Sequence, residues 1–187
     1  MYNMLLVDDE PIIVDSYYEL LSDKFENKLN IEKAYSASEA IQKARNRIDI
    51  LVTDIIMPRM DGYELKKEIC RIWPKCHVIF LTGNDDVQYA QNAIRNGPFV
   101  DYILKTENFE MLIGAVNKAI NSIENIIKTD EVLKNIQKNI KLALPLLRKE
   151  LFMDIINGKN NDIENINHKF KQYDIELCID KPVILLC

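Results

Sequence analysis

Short continuous apolar runs alternate along this chain with stretches where apolar residues recur every three or four positions. Met4-Leu5-Leu6-Val7 is such a run, suited to a central strand buried on both faces of a parallel sheet. Ile13, Val14, Tyr17, Leu20 and Leu21 then follow helical spacing behind Pro11. Proline is tolerated in a first helical turn because the N–H it lacks has no partner there. Residues 29–34 predict a second strand, and Glu32 and Lys33 within it predict a sheet edge. Ser36 and Ser38 are both candidate caps for the next helix. Ser38 fits one carrying Ala40, Ile41 and Ala44 on a single face.

The same alternation continues. Residues 48–53 predict the third strand. Residues 63–73 predict a helix with Leu65, Ile69 and Ile72 on one side, ended by Pro74. Residues 77–81 predict the fourth strand. Asp85-Asp86 opens a fourth helix with Val87, Ala90 and Ile94 inward, stopped by Gly97-Pro98. Residues 99–104 predict the fifth strand. A fifth helix, started by Asn108 or Thr106, carries Leu112, Val116, Ala119 and Ile123. Five strands alternating with helices predict a doubly wound α/β sheet. Right-handed crossovers leave few strand orders. The flavodoxin-like order 2-1-3-4-5 fits best, because it brings together the carboxyl ends of strands one and three, where ligands bind in such folds.

Beyond this the pattern changes. Residues 107–157 are helix-rich, with Leu133, Ile136, Ile140, Leu144, Leu147 and Leu151 recurring at threes and fours. Asp130 is a candidate cap for a second helical segment. Pro145 predicts a kink or restart. The stripe can pair with a second copy as a short coiled coil or pack back on its own domain. Gly158 closes the region, and Asn160-Asn161-Asp162 opens a polar helix carrying Ile163, Ile166 and Phe170. Residues 181–187 predict a strand in which the sequence stops. A terminal apolar strand lacking a partner predicts a fragment of a longer protein. The expected organisation is a domain over 1–125, a helical linker over 126–158 and the start of a further domain over 159–187.

Composition narrows the function. The 187 residues are 48% apolar and 28% charged, with a net charge of −5 and a pI near 5.2. Residues 1–105 carry 13 Lys/Arg against 17 Asp/Glu, and residues 106–187 carry 11 against 12. Neither part has the basic footprint of a nucleic-acid binder. Cys70, Cys76, Cys178 and Cys187 form no metal-finger spacing, which predicts free thiols in a reducing compartment. The short N-terminal apolar run predicts no signal peptide. No apolar stretch approaches a membrane span. The expected location is the cytoplasm.

Candidate chemistry sits at the strand ends. Asp8 and Asp9 close the first strand, Asp54 the third, Thr82 the fourth and Lys105 the fifth. Taken singly, Asp54 is a turn residue and Asp8-Asp9 a helix N-terminal charge cluster. Together in the predicted crevice, three carboxylates need neutralising. An oxygen-only donor set points to Mg²⁺. Lys105 adds a compact positive charge for an anionic group. The Thr82 hydroxyl can donate to a phosphoryl oxygen, and Gly83 leaves space beside it.

Leu5-Leu6-Val7-Asp8-Asp9-Glu10, Asp54-Ile55-Ile56-Met57-Pro58-Arg59-Met60-Asp61-Gly62, Leu81-Thr82-Gly83 and Asp101-Tyr102-Ile103-Leu104-Lys105 resemble the receiver domain of two-component response regulators, over about residues 1–125. The resemblance implies that Asp54 accepts a phosphoryl group from a sensor histidine kinase. It implies that Asp9, Asp54 and the Ile56 backbone carbonyl ligate Mg²⁺, with Asp8 acting through water. Thr82 and Tyr102 would form the switch pair, Tyr102 repacking inward on phosphorylation, with Lys105 contacting the phosphoryl group. The implied dimer forms through the fourth and fifth predicted helices or the linker. Thr106 stands where the family commonly has proline, often after a cis bond. A cis bond before a non-proline costs about 3 kcal/mol, so the geometry beside Lys105 is expected to differ. Gly97-Pro98 replaces the usual Gly-Ala, predicting a local backbone change there. Ile56 and Asn84 flank the expected path of an attacking water.

Residues 143–151 and 155–158 resemble the linker of response regulators that end in an AraC-type helix-turn-helix. They imply a transcriptional output acting on DNA through a module absent from these residues. Two other outcomes stay open at this point: an enzymatic output such as a nucleotide cyclase, and a metal-dependent phosphohydrolase. The latter is disfavoured because Ile56, not a second carboxylate, lies two residues after Asp54.

Overall fold

A computed structural model describes residues 1–83, 100–105, 108–159 and 162–176 of the chain. Two compact units make it up, Met1–Ile126 and Ile127–Cys187.

The first unit is a five-stranded sheet, ordered β2-β1-β3-β4-β5 with every pair parallel. Its strands are β1 (Tyr2–Val7), β2 (Leu29–Ala34), β3 (Ile50–Asp54), β4 (His77–Thr82) and β5 (Val100–Leu104). The helices are α1 (Pro11–Lys24), α2 (Ala37–Lys43) and α3 (Gly62–Ile72). A long helix, Phe109–Ile156, is α4; it begins as the fifth predicted helix. The fourth predicted helix, Asn84, Gly97-Pro98 and Thr106 lie outside the described residues. The fold is the doubly wound arrangement with β2 at an edge, as expected.

Strand alternation builds two cores at once. Met4, Leu6, Ile50, Val52, Ile79, Leu81 and Ile103 face one side, where Val14 and Leu21 of α1 and Leu112, Val116 and Ile120 of α4 cover them. Leu5, Val7, Leu51, Val78 and Phe80 face the other, against Ala37 and Ala40 of α2 and Leu65 and Ile69 of α3. Successive strand residues point to opposite faces, so unbroken apolar runs are what a sheet covered on both sides requires. Each such side chain, fully buried, stabilises the fold by about 1.5–3 kcal/mol.

Two local points are decided by the packing. Of the two candidate caps, Ser36 is the one that caps α2: its hydroxyl accepts the Glu39 N–H at 3.2 Å. The chain leaves β2 directly into the helix, so the cap falls two residues earlier. Ile72, expected inward, is 46% exposed, because α3 ends at that residue and its C-cap, Trp73, packs against the core in its place. Trp73 instead donates its indole N–H to the Ala44 carbonyl at 2.9 Å.

In the second unit, α4 runs unbroken past Asp130 and Pro145. Asp130 therefore does not cap a new segment, and Pro145 does not restart the helix. The absent proline N–H removes one rung of the helical ladder, and the turns on either side carry the helix through. Gly158, with φ +67°, terminates the region. There the Gly158 N–H donates to the Ile155 carbonyl at 3.1 Å and the Lys159 N–H to the Asp154 carbonyl at 3.0 Å. Helix α5 (Ile163–Gln172) is capped by Asp162, which accepts the Glu164 and Asn165 N–H groups. It buries Ile166 and Phe170 against Leu151, whereas Ile163 is 57% exposed. Arg148 donates to the Tyr173 and Asp174 carbonyls at 2.9 and 2.8 Å, a cation at the negative end of a helix. Leu133, Ile136 and Ile140 remain about half exposed. Residues 181–187, the predicted terminal strand, lie outside the described residues.

A proline inside a helix costs about 3 kcal/mol relative to alanine. Pro145→Ala is therefore expected to raise the thermal midpoint of the second unit without loss of helical circular dichroism, measured in the whole chain. A fall in helicity would show that the proline sets a needed bend.

Candidate functional site

The site forms where β1, β3, β4 and β5 end side by side. Val7 pairs with Thr53 in the β1–β3 ladder, so Asp8 and Asp54, one residue further on, leave the sheet as neighbours. Asp54 pairs with Leu81 in β4, which sets Thr82 just past it. The Lys105 N–H donates to the Thr82 carbonyl at 2.8 Å, carrying the pairing on from β5.

Asp8 and Asp54 are buried, at 0% and 6% exposure, while Asp9 is exposed. One carboxylate oxygen from each of these three residues lies within 4.8 Å of the others. The Lys105 ammonium sits between the buried pair, 2.9 Å from Asp8 Oδ2 and 3.0 Å from Asp54 Oδ2. Glu10 Oε1 is a third, solvent-exposed contact at 3.5 Å. Asp8 Oδ1 accepts the Glu10 N–H at 3.0 Å. Asp54 Oδ1 accepts the Ile55 N–H at 2.7 Å.

The charge balance is unequal. Burial pushes the carboxyls of Asp8 and Asp54 above their ordinary range, and Lys105 offsets this only in part. Burial alone would lower Lys105, yet its two carboxylate partners hold the ammonium above the ordinary lysine range. One cation thus serves two buried anions, with a third close by. An all-oxygen cluster with surplus negative charge fits a hard divalent cation. Asp8, Asp9 and Asp54 are the side chains present to hold it.

The loop after β3 closes over the acidic tips. Arg59 takes the left-handed conformation, φ 74°, which costs a non-glycine residue about 1–2 kcal/mol. Gly62 returns the chain to the strand end, its N–H donating to the Ile55 carbonyl at 2.9 Å. A Cβ on Gly62 would meet the Asp54 carbonyl oxygen at 2.2 Å, so no larger residue fits. Asp61 and Glu64 then form a reciprocal capping box that starts α3. Ile56 lies in this loop with its side chain 62% exposed.

Thr82 is 3% exposed, and its hydroxyl donates to the Gly83 carbonyl at 3.1 Å. Tyr102 lies beside the pocket rather than in it. It pairs with Phe80 across the β4–β5 ladder and stacks on that ring at 5.3 Å. Its phenol oxygen is already shielded from solvent. Burial first, and then the neighbouring Tyr63 phenol, push the Tyr102 phenol above its ordinary range. His77 is buried in β4, and burial holds it below the usual histidine range; His168 is exposed on α5.

Sequence reasoning passed over Glu10 as a contact of Lys105, and Tyr63 and Phe80 as neighbours of Tyr102. Glu10 adjoins the acidic pair, and Tyr63 follows Asp61-Gly62, so adjacency to a motif was the available signal. For Phe80 the signal was the strand register, which only the pairing supplies.

The family described as the response regulator receiver domain matches residues 4–117. The chain belongs to that family, a signalling domain of two-component systems rather than a catalytic enzyme, whose members generally use Mg²⁺ at an acidic pocket. Among curated proteins it is similar to the uncharacterized transcriptional regulatory protein YesN of Bacillus subtilis (strain 168). The two are 32% identical over 149 residues, 79% of this chain and 39% of YesN. The chain therefore spans about two-fifths of that relative. A two-component transcriptional regulator AraC from Clostridium phytofermentans is 30% identical with TM-score 0.61, covering 67% of this chain and 97% of that one. A chain described as adenylate cyclase from Rhodopirellula baltica is 25% identical with TM-score 0.63, covering 71% and 96%. Among the described residues no helix is long and apolar enough to cross a membrane.

Gly62→Ala is expected to cost at least about 2 kcal/mol, since an added methyl in a packed site strains the backbone it meets. Thermal denaturation checks this; an unchanged midpoint would mean the Asp54 loop moves freely.

Proposed function

We propose that Asp54 is the phosphoacceptor of a response regulator. A sensor histidine kinase supplies the phosphoryl group, and the receiver switches a transcriptional output. The observation that carries this reading is the Lys105 ammonium held between buried Asp8 and Asp54, with Asp9 within 4.8 Å, in a chain matched to the receiver family over 4–117.

In the transfer, an Asp54 carboxylate oxygen attacks the phosphorus of a phosphohistidine. A P–O bond forms as the P–N bond breaks, and the departing imidazole nitrogen takes up a proton. Asp9, Asp54 and the Ile56 carbonyl would ligate Mg²⁺, with Asp8 acting through water. When bound, the ion neutralises the carboxylates and the spreading charge on the phosphoryl oxygens. Lys105 then turns from Asp54 toward the new dianionic group. The Thr82 hydroxyl, buried at the tip of β4, supplies a donor from the neighbouring strand. Ile56, exposed on the loop after β3, lines the path of hydrolytic water.

The output is proposed to act on DNA through a module beyond the residues matched, on the strength of the likeness to YesN and to the AraC-type regulator. An enzymatic output is the second reading, favoured by the likeness to the adenylate cyclase chain. We further propose a homodimer, through the fourth and fifth predicted helices or the linker. The exposed Leu133, Ile136 and Ile140 on α4 support the linker. With Leu144 and Leu147 they follow an eleven-residue repeat, which favours a straight or right-handed pairing.

Asp54→Ala is expected to abolish labelling by acetyl phosphate or by a phosphorylated kinase, measured as acid-labile phosphate on the chain; undiminished labelling would overturn the assignment. A second expectation concerns stability. Asp8 and Asp54 are held above their ordinary range, so the folded chain binds more protons than the unfolded one between the ordinary and the raised values. Their contribution therefore weakens the fold as pH rises through that window. Added Mg²⁺ should oppose this at neutral pH, raising stability by about 1.4 kcal/mol at ten times its dissociation constant. The gain should vanish at acid pH, where the carboxyls are protonated. Thermal denaturation with and without Mg²⁺ reads it out, and an equal gain at both pH values would count against the site.

A further inference from the structure

Thr82 is not the sole link between the acidic pocket and β5. Tyr63 follows Gly62, which is pressed against the Asp54 carbonyl and bonded to the Ile55 carbonyl. The capping box at Asp61 and Glu64 fixes the same turn. Any shift of the Asp54 loop must therefore carry the Tyr63 backbone with it.

From that anchored position, the Tyr63 ring packs on Phe80, with centroids 4.7 Å apart and planes at 46°. Phe80 is fully buried and stacks in turn on Tyr102 at 5.3 Å and 24°. Three rings thus run in contact from α3 through β4 to β5. Aromatic pairs at these separations have preferred geometries, so displacing one ring disturbs the next.

The hydroxyls distinguish this stack from simple core filling. Both the Tyr63 and Tyr102 phenol oxygens are shut off from solvent. Phenylalanine would fill the same space without removing a phenol from water, a change that costs free energy unless the group finds a partner. Burial first, and then the Tyr63 phenol, hold the Tyr102 phenol above its ordinary range.

We propose that Tyr63 is a positioning residue for Tyr102: acting through the Phe80 ring, it steadies the Tyr102 ring and ties the β5 edge to the Asp54–Gly62 loop. The contact stands on this structure alone. Its use in transmission rests on Asp54 being the phosphoacceptor.

Nitration of the whole chain with tetranitromethane, mapped by mass spectrometry, tests both parts. Tryptic peptide 96–105 carries Tyr102 as its one tyrosine, and peptide 34–43 carries the exposed reference Tyr35. Tyr63→Leu, which removes the ring, is expected to raise Tyr102 nitration relative to Tyr35 by about threefold or more, within the factor that one aromatic pair supplies. Tyr63→Phe, which keeps the ring, is expected to raise it less. Circular dichroism checks that both variants fold. Unchanged Tyr102 nitration in both folded variants overturns the positioning role. In a second comparison, Mg²⁺ and beryllofluoride are added as a phosphoryl mimic. The wild-type change in Tyr102 nitration is expected to fall by half or more in Tyr63→Leu; a full response there overturns the transmission. No response in the wild type overturns the transmission, while acid-labile labelling of Asp54 decides the phosphoacceptor reading and the first comparison decides the contact.

Discussion

One ammonium group placed between two buried carboxylates sets the terms for the first unit. Asp8 and Asp54 are held close by neighbouring parallel strands, and each would repel the other in a site poor in water. Lys105 reaches both at about 3 Å from the far edge of the sheet. Without it, two buried like charges would face each other unpaired, a far greater cost than a surface ion pair could recover. With it, the pocket still carries surplus negative charge. An all-oxygen pocket in that condition has the chemistry that suits a hard divalent cation.

The placement depends on strand order. β1 and β3 are adjacent although β2 lies between them in sequence, so the chain must cross over and return. The two apolar layers make that crossing stable, and the acidic tips are a consequence of where the layers stop. At those tips the backbone is held tightly. Gly62 is packed against the Asp54 carbonyl, Arg59 is held in an unfavourable conformation, and a capping box starts α3 at once. Such a loop is better suited to shifting as a body than to fraying. This is the property the ring stack of Tyr63, Phe80 and Tyr102 needs if it is to report on Asp54.

The second unit follows different physics. Among its described residues few side chains are buried, centred on Leu151, Ile166 and Phe170, and a cation, Arg148, sits on the carbonyl end of α5. Much of its apolar stripe stays in solvent. The long helix persists through Pro145 with little side-chain burial between residues 130 and 147. Helices of that kind draw most of their stability from packing against another surface, which is why a second copy is the proposed occupant.

The sequence by itself determined the sheet, its order and the identity of the acidic and basic strand tips. Those follow from runs, periods and turn residues, which are short-range signals. It also named Tyr102 and Thr82, though not what they touch. Tertiary structure decided the rest. Phe80 meets Tyr102 only through the β4–β5 register, and Tyr63 meets Phe80 only because α3 lies on that face. Lys105 bridges both Asp8 and Asp54 because three strands end level with one another. Ser36 was chosen over Ser38 as the cap, Ile72 fell outside the core, and α4 continued past Asp130 and Pro145. In each case the local preference was real but worth no more than a few kcal/mol, and the positions of neighbouring elements, which no single stretch of sequence encodes, outweighed it.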